Sequence, residues 1–202
     1  MKQGLMIVVS GPAGSGKGTV NEILLRSSDY VYSVSATTRA PRPGEVDGKN
    51  YYYISREEFE RRIANGEMLE YTEYCGNYYG TPLREAMEVM ESGKNLILEI
   101  EVEGACNVKR LYPDAVLIML LPPSFSQQEA RLRGRATETE EKILSRLERT
   151  HEELACLKQY DYVVYNYEGG ADACADDIRA IVRAEKCGVK RHPQADTDYF
   201  KN

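Results

Sequence analysis

Leu5-Met6-Ile7-Val8-Val9 runs without a break into Ser10-Gly11-Pro12-Ala13-Gly14-Ser15-Gly16-Lys17-Gly18-Thr19, and this stretch decides the fold. A continuous apolar run, partly β-branched, reads as a strand buried on both faces of a parallel sheet. Beyond the glycines, Val20, Ile23, Leu24 and Ser27 recur at i, i+3, i+4 and i+7, one face of an amphipathic helix. Strand, glycine-rich turn and helix is the context of a phosphate-binding loop. The glycines allow successive backbone N–H groups to point inward at phosphate oxygens, and the helix N-terminus adds its positive dipole. Lys17 then reaches the β- and γ-phosphates, a task that a purely structural turn would not require. Gly11, Pro12, Ala13, Gly14, Ser15, Gly16, Lys17, Gly18 and Thr19 are therefore the expected triphosphate site. Gly18 stands where the strict pattern places a Mg²⁺-binding Ser or Thr, with Thr19 one position later, so the loop's own part in holding Mg²⁺ stays open.

Working outward, Leu96–Ile100, Val116–Leu121 and Tyr162–Tyr165 are further apolar strand candidates, each followed by polar or helical sequence. The expected class is α/β, a three-layer fold around a parallel sheet. Between residues 34 and 84 the character changes: Ser33–Arg39 alternates, while Tyr51–Ile54 and Leu69–Tyr74 are aromatic, as in short antiparallel ribbons. Ser55 and Glu58 form a capping box for one short helix that stops at Gly66. A second box, Thr137 with Glu140, is expected to open a long helix carrying Ile143, Leu147, Leu154 and Leu157. An Arg-rich helix from about Ser126 to Arg133 precedes it, across a turn at 134–137. A last helix carries Ile178, Ile181 and Val182 and stops at Gly188, leaving a polar, frayed tail over 189–202. The expected organisation is a core of 1–33, 85–124 and 151–188, an inserted subdomain of 34–84 and a lid of 125–150.

Composition narrows the function. The chain has 202 residues, 26 Lys and Arg against 32 Asp and Glu, and a formal charge of −6, which disfavours nucleic acid and anionic membrane as partners. The longest apolar run, Ala115–Leu121, is seven residues, far below the roughly 20 that span a bilayer. Five scattered cysteines without a C-x-x-C pair, and no export signal, point to a reducing cytoplasm. Two histidines, His151 and His192, both expected at the surface, leave almost no material for a histidine metal site or a Ser-His-Asp hydrolase.

Three further stretches carry a resemblance: Ser33-Val34-Ser35-Ala36-Thr37-Thr38-Arg39-Ala40-Pro41-Arg42-Pro43-Gly44-Glu45 with Gly48-Lys49-Asn50-Tyr51, Gly76-Asn77-Tyr78-Tyr79-Gly80-Thr81, and Glu99-Ile100-Glu101-Val102-Glu103-Gly104. Together with the loop they resemble the guanylate kinase family from about Leu5 to Glu185. The resemblance implies a P-loop fold with a GMP-binding insertion and a helical lid, and ATP and GMP as substrates, with Mg²⁺ accompanying ATP. It implies that Arg39, Arg42, Tyr51 and Tyr79 hold the GMP phosphate while Ser35, Glu70, Thr81 and Glu101 face guanine. Glu99 joins that site and could order Mg²⁺ through water, as could Thr19. Arg131, Arg135 and Arg146 would be the lid arginines that, with Lys17 and Arg39, neutralise the transferring phosphoryl group. Asn166 would lie near adenine, although Tyr167 replaces the family's Asp.

Physical chemistry suits these roles. Two guanidiniums on a proline-stiffened loop fork onto a phosphate dianion, and guanine's N1–H and N2–H match one carboxylate, with a hydroxyl such as Thr81 serving O6. Other readings stay in view: the arginines as a solvated helix face paired with Glu138, Glu140, Glu141 and Glu148, Tyr78 and Tyr79 as ribbon packing, and Glu70 as a solvated charge. At the level of function the rivals are a kinase for AMP, UMP or CMP, a peptide-binding scaffold without catalysis, and a P-loop ATPase or GTPase. The number of subunits and the use of deoxy-GMP are left open.

Overall fold

The computed structural model describes residues 3–74, 76–134 and 139–199. The chain runs β1 (Met6–Ser10), α1 (Lys17–Leu24), β2 (Tyr30–Tyr32), β3 (Ala36–Thr37), β4 (Tyr52–Tyr53), α2 (Arg56–Ala64), β5 (Met68–Tyr74), β6 (Asn77–Pro82) and α3 (Leu83–Glu91). It continues with β7 (Asn95–Glu99), α4 (Val102–Leu111), β8 (Val116–Leu121), α5 (Phe125–Gly134), α6 (Glu140–Ala155), β9 (Tyr162–Tyr165), α7 (Ala171–Cys187) and α8 (Ala195–Tyr199).

Five strands form a parallel sheet in the order β2-β7-β1-β8-β9. All five residues of β1 are buried, because its alternating side chains feed two different cores. Ile7 and Val9 pack with Val20, Ile23 and Leu24 of α1 and Ile178 and Val182 of α7. Met6 and Val8 pack on the other face with Ala86 and Met90 of α3 and Ala105 and Val108 of α4. A sheet covered by helices on both faces is the expected three-layer arrangement. The glycine turn after β1 sits at the carboxyl edge of this sheet, where ligands of open α/β folds bind.

A second sheet, β4-β3-β6-β5, is mixed. β6 is antiparallel to β3 and β5, as the ribbon pattern leads one to expect, whereas β3 and β4 run parallel. The long connection over 38–51 lets the chain re-enter in the same direction, which a tight hairpin would forbid. Ser55 caps α2 by accepting from the Glu58 N–H at 3.2 Å.

Other expectations need correction. The N-cap of α6 is Thr139, in extended conformation, which puts Glu140 and Glu141 in the first turn where the helix dipole favours them; Thr137 lies outside the described residues. Leu157 falls beyond α6, in a 3-10 turn over Leu157–Gln159. In the tail, Val189–Arg191 is a 3-10 turn, and Arg191 donates to the Asp114 carbonyl and pairs with Glu185. His192 is half-buried, its Nε2 at 2.7 Å from the Lys186 carbonyl, while His151 is exposed. Among the described residues no helix is long and apolar enough to cross a membrane.

Candidate active site

The glycine turn is a loop whose carbonyls are held from outside. Gly11 adopts φ 151°, and a Cβ there would stand 2.1 Å from the Leu120 carbonyl oxygen, so only glycine lets the loop leave β1 this close to β8. Three successive carbonyls then receive donors from distant segments. Gln128 Nε2 donates to Ala13 O at 3.0 Å, Arg131 Nη1 to Gly14 O at 3.5 Å, and Asn166 Nδ2 to Ser15 O at 2.8 Å. In a trans peptide C=O and N–H point in opposite directions, so pinning Ala13 O and Ser15 O turns the Gly14 and Gly16 N–H groups the other way. Gly16 is the left-handed N-cap of α1, φ 92°. Lys17 is half-buried at the start of that helix, and its ammonium donates to the carbonyls of Gly11 and Pro12. Gly18 and Thr19 are exposed beside it. The Ser15 hydroxyl oxygen is buried and has no hydrogen-bond partner.

Asn166 thus braces the loop with the amide expected near adenine, and Arg131 reinforces the brace by donating to the Asn166 carbonyl at 2.7 Å. Ala13 packs its methyl against Leu132, Ile143 and Leu147 between α5 and α6. Arg135 lies outside the described residues. Arg146 is on the exposed side of α6.

The second sheet presents a buried acid. Glu70 on β5 is 5% exposed and accepts from the Thr81 hydroxyl on β6 at 2.8 Å. Burial raises the Glu70 carboxyl above the usual range, with the hydroxyl and backbone bonds of Thr81 acting against that rise. Thr81 therefore commits its single hydroxyl proton to Glu70, which orients the carboxylate; this corrects the expectation that the hydroxyl serves guanine O6, since no second proton is left to donate. Gly104 on α4 leaves the space: a Cβ there would come within 3.2 Å of Glu70 Oε2. Ser35 is half-buried beside β3, its carbonyl accepting from Tyr52 N at 2.9 Å.

Two residues before Thr81 on β6, Tyr79 belongs to a cationic, aromatic cluster. Arg39 sits 5.5 Å from the Tyr51 ring centre and 6.0 Å from that of Tyr53, and Tyr51 meets Tyr79 edge-on at 6.0 Å. Glu45 clasps Arg39 and also accepts from Tyr53 OH and Arg42 N. The Arg42 side chain is exposed. Glu45 is the component that residue-by-residue reading misses, although Gly44, φ 87°, is the signal that the loop doubles back there.

Glu99 is the last residue of β7, and Glu101 follows two residues later. Glu99 Oε2 accepts from Asn21 Nδ2 at 2.8 Å and Tyr32 OH at 3.5 Å, and its charge acts on Tyr51. Burial and Glu99 together push the Tyr32 hydroxyl upward. Glu101 is exposed at the N-cap of α4, 3.8 Å from Arg149. Glu153 on α6 is a second unforeseen member. Its carboxyl is raised by burial and by Glu101, against the charges of Lys17 and Arg149, and its Oε2 is buried without a partner. One more Glu in a Glu-rich helix gives no sign of this in sequence.

Oxygen donors suit Mg²⁺, which keeps several waters and takes one or two protein oxygens plus substrate phosphates. Thr19 beside the open space at Gly18, and Glu99 with one oxygen already engaged, match that modest donor set. Among the described residues no group of three or more His, Cys, Asp and Glu could hold a metal unaided.

The family model described as guanylate kinase matches residues 3–185. A guanylate kinase of Streptococcus thermophilus is 52% identical over 192 residues, covering 94% of this chain and 91% of the relative. One from Halalkalibacterium halodurans is also 52% identical, over 191 residues, covering 94% and 93%. The crystal structure of guanylate kinase from Anaplasma phagocytophilum superposes with a TM-score of 0.74 at 35% identity, covering 95% of this chain and 90% of that one.

Proposed function

Given that the chain belongs to the guanylate kinase family, we propose that it transfers the γ-phosphoryl of ATP reversibly to the α-phosphate of GMP, giving ADP and GDP. The observation that carries the reading is the buried Glu70–Thr81 pair together with the Arg39–tyrosine cluster, in one chain with a lysine-bearing phosphate loop.

ATP lies with its phosphates on Gly11–Thr19. GMP lies in the second sheet, its phosphate on Arg39, Arg42, Tyr51 and Tyr79 and its base against Glu70, Ser35, Thr81 and Glu101. Glu70 accepts from guanine N1–H and N2–H, and adenine, lacking that donor pair, leaves a buried carboxylate unpaired. Residues 34–84 form the GMP-binding subdomain and 125–150 the lid, with the core supplied by 1–33, 85–124 and 151–188.

A GMP phosphate oxygen attacks the γ-phosphorus as the bond to the β-bridging oxygen breaks, and ADP departs with the electron pair. The acceptor oxygen is already anionic, so no general base is needed. Catalysis is positioning and charge neutralisation by Lys17, Arg39, Arg131, Arg135 and Arg146. Thr19 or Glu99, through water, would help hold Mg²⁺ with ATP, and the ion would supply further neutralisation of the phosphate charge. The reaction is placed in the cytoplasm, where ATP and GMP occur together, with small molecules rather than nucleic acid or membrane as partners.

The deciding experiment is a coupled ADP-release assay with ATP and Mg²⁺ and each of GMP, deoxy-GMP, AMP, UMP and CMP, run beside Lys17→Ala and Glu70→Ala. Turnover with guanine nucleotides alone, lost in both variants, is the expected result. Equal turnover with AMP, or none with any acceptor, overturns the proposal.

A further inference from the structure

Gln128 and Thr150 are both almost wholly buried, at 1% and 2% exposure, yet neither is apolar. Gln128 Nε2 donates to Ala13 O at 3.0 Å and to Thr150 Oγ1 at 2.8 Å. Thr150 Oγ1 in turn donates to the Arg146 carbonyl one turn earlier, at 3.1 Å. One amide group thus joins the phosphate loop, α5 and α6. One turn along α5, Arg131 reaches the next loop carbonyl, Gly14 O, and also Asn166 O.

Cohesion alone does not call for this bridge. Leu132, Ile143 and Leu147 with Ala13 already form an apolar cluster at the same junction. An apolar filler would add to that cluster, but it would leave the direction of the Ala13 carbonyl unspecified. A buried amide whose two hydrogens are committed to acceptors on two segments specifies that direction, because either bond lost leaves a polar group unsatisfied.

We propose that Gln128 is a positioning residue for phosphoryl transfer. It turns the Ala13–Gly14 peptide so that the Gly14 N–H faces the ATP phosphates, and through Thr150 it ties that peptide to the helix carrying Arg146. The inference rests on the reading of the loop as the ATP site. It also means that the loop and α6 move as one body at this junction, so a shift of α6 is felt at the phosphates.

The test uses Thr150→Val, which keeps the shape and removes the hydroxyl, Thr150→Ser, which restores it, and Gln128→Met, which keeps bulk without donors. Steady-state kinetics in each substrate, calorimetric titration with ATP and with GMP, and thermal melting are measured on each. Gln128→Met is expected to lose about tenfold in kcat/KM for ATP, the scale of a small misplacement, while the GMP dissociation constant stays within about twofold. Thr150→Val shares that loss and Thr150→Ser recovers wild-type kinetics. The double variant Gln128→Met/Thr150→Val is expected to lose no more than Gln128→Met alone, since both substitutions break one bridge. Variants that melt earlier but keep kcat/KM for ATP well below their melting temperatures would overturn the proposal, as would additive losses. If Gln128→Met does not fold, Thr150→Val against Thr150→Ser decides. If the wild type turns over no GMP, the functional reading fails, and the ATP dissociation constants of the same variants still decide this one.

Discussion

Glu45 grips Arg39 with both carboxylate oxygens, Arg39 Nη2 lying 2.9 Å from Oε1 and 3.0 Å from Oε2. The same carboxylate accepts from Arg42 N at 2.7 Å and Tyr53 OH at 2.8 Å, so four hydrogen bonds converge on one group. Arg39's bond first, then those of the Arg42 backbone and Tyr53, hold the Glu45 carboxyl down to about 2. A carboxyl depressed in the folded state stabilises it above the ordinary carboxylate range, and that contribution is lost as pH falls from about 4.5 toward about 2. Arg39 is therefore held in place at neutral pH before any phosphate arrives. Glu45→Gln, which keeps the shape and loses the charge, should raise KM for GMP about tenfold and leave KM for ATP unchanged. Equal changes in both constants would show that Glu45 supports the fold at large rather than the Arg39 cluster.

Glu70 predicts a conflict between stability and function. Because burial raises its carboxyl, the folded chain holds that proton more tightly than the unfolded chain, and stability falls as pH rises through the carboxylate range. Glu70→Gln removes a buried charge while keeping an acceptor for the Thr81 hydroxyl. The variant should melt at a higher temperature than wild type at pH 7, with the gap closing toward pH 4. Its kcat/KM for GMP should drop on the order of 10²-fold as one of guanine's two donors loses its acceptor. Melting curves at the two pH values with kinetics at pH 7 check both halves, and a destabilised variant at pH 7 would refute the sign.

Two loop glycines two residues apart should behave oppositely. Gly16 has φ 92°, and a Cβ there would stand 2.3 Å from Asn166 Nδ2, the group that braces Ser15 O. Gly16→Ala should cost ATP affinity by at least about tenfold, through backbone strain and the broken brace together. Gly18 has open space around its Cβ position and ordinary helical geometry. Gly18→Ala should stabilise the chain by about 0.5–1 kcal/mol by improving the first turn of α1. Denaturant melts of the two variants and ATP titration of Gly16→Ala separate these effects.

How far the sequence discloses all this depends on the distance over which each feature is built. β1, the loop and α1 are legible because the apolar run, the glycines and the helical spacing lie side by side, and each is explained by its neighbours. Ser55 is legible for the same reason, since its partner is three residues away. β2, three residues at the sheet edge, leaves too short a pattern to read, and its identity comes from pairing with β7. The parallel pairing of β3 with β4 is set by the path of a 38–51 connection rather than by any residue in the strands. Gln128 looks like an ordinary polar helix residue until it meets Ala13, 115 residues earlier. Glu153 is likewise one Glu among many until α6 brings it to Lys17.

Lys17 supplies the last prediction. Its ammonium is held by the Gly11 and Pro12 carbonyls, so the loop stores a positive charge where the proposed reading puts the β- and γ-phosphates. Lys17→Met keeps the aliphatic stem and removes the charge. It should lower kcat by about 10²-fold or more, with little change in the GMP dissociation constant, because the lost interaction strengthens as charge shifts during transfer. The same charge must not be allowed to drive hydrolysis in an open site, where water competes with GMP as the acceptor. Wild-type ADP release without GMP should accordingly be slow beside the GMP-dependent rate, and lower still in Lys17→Met. A fast ATPase that ignores GMP would mean that loop and acceptor site work independently, and the two-substrate reading of this chain would fall with it.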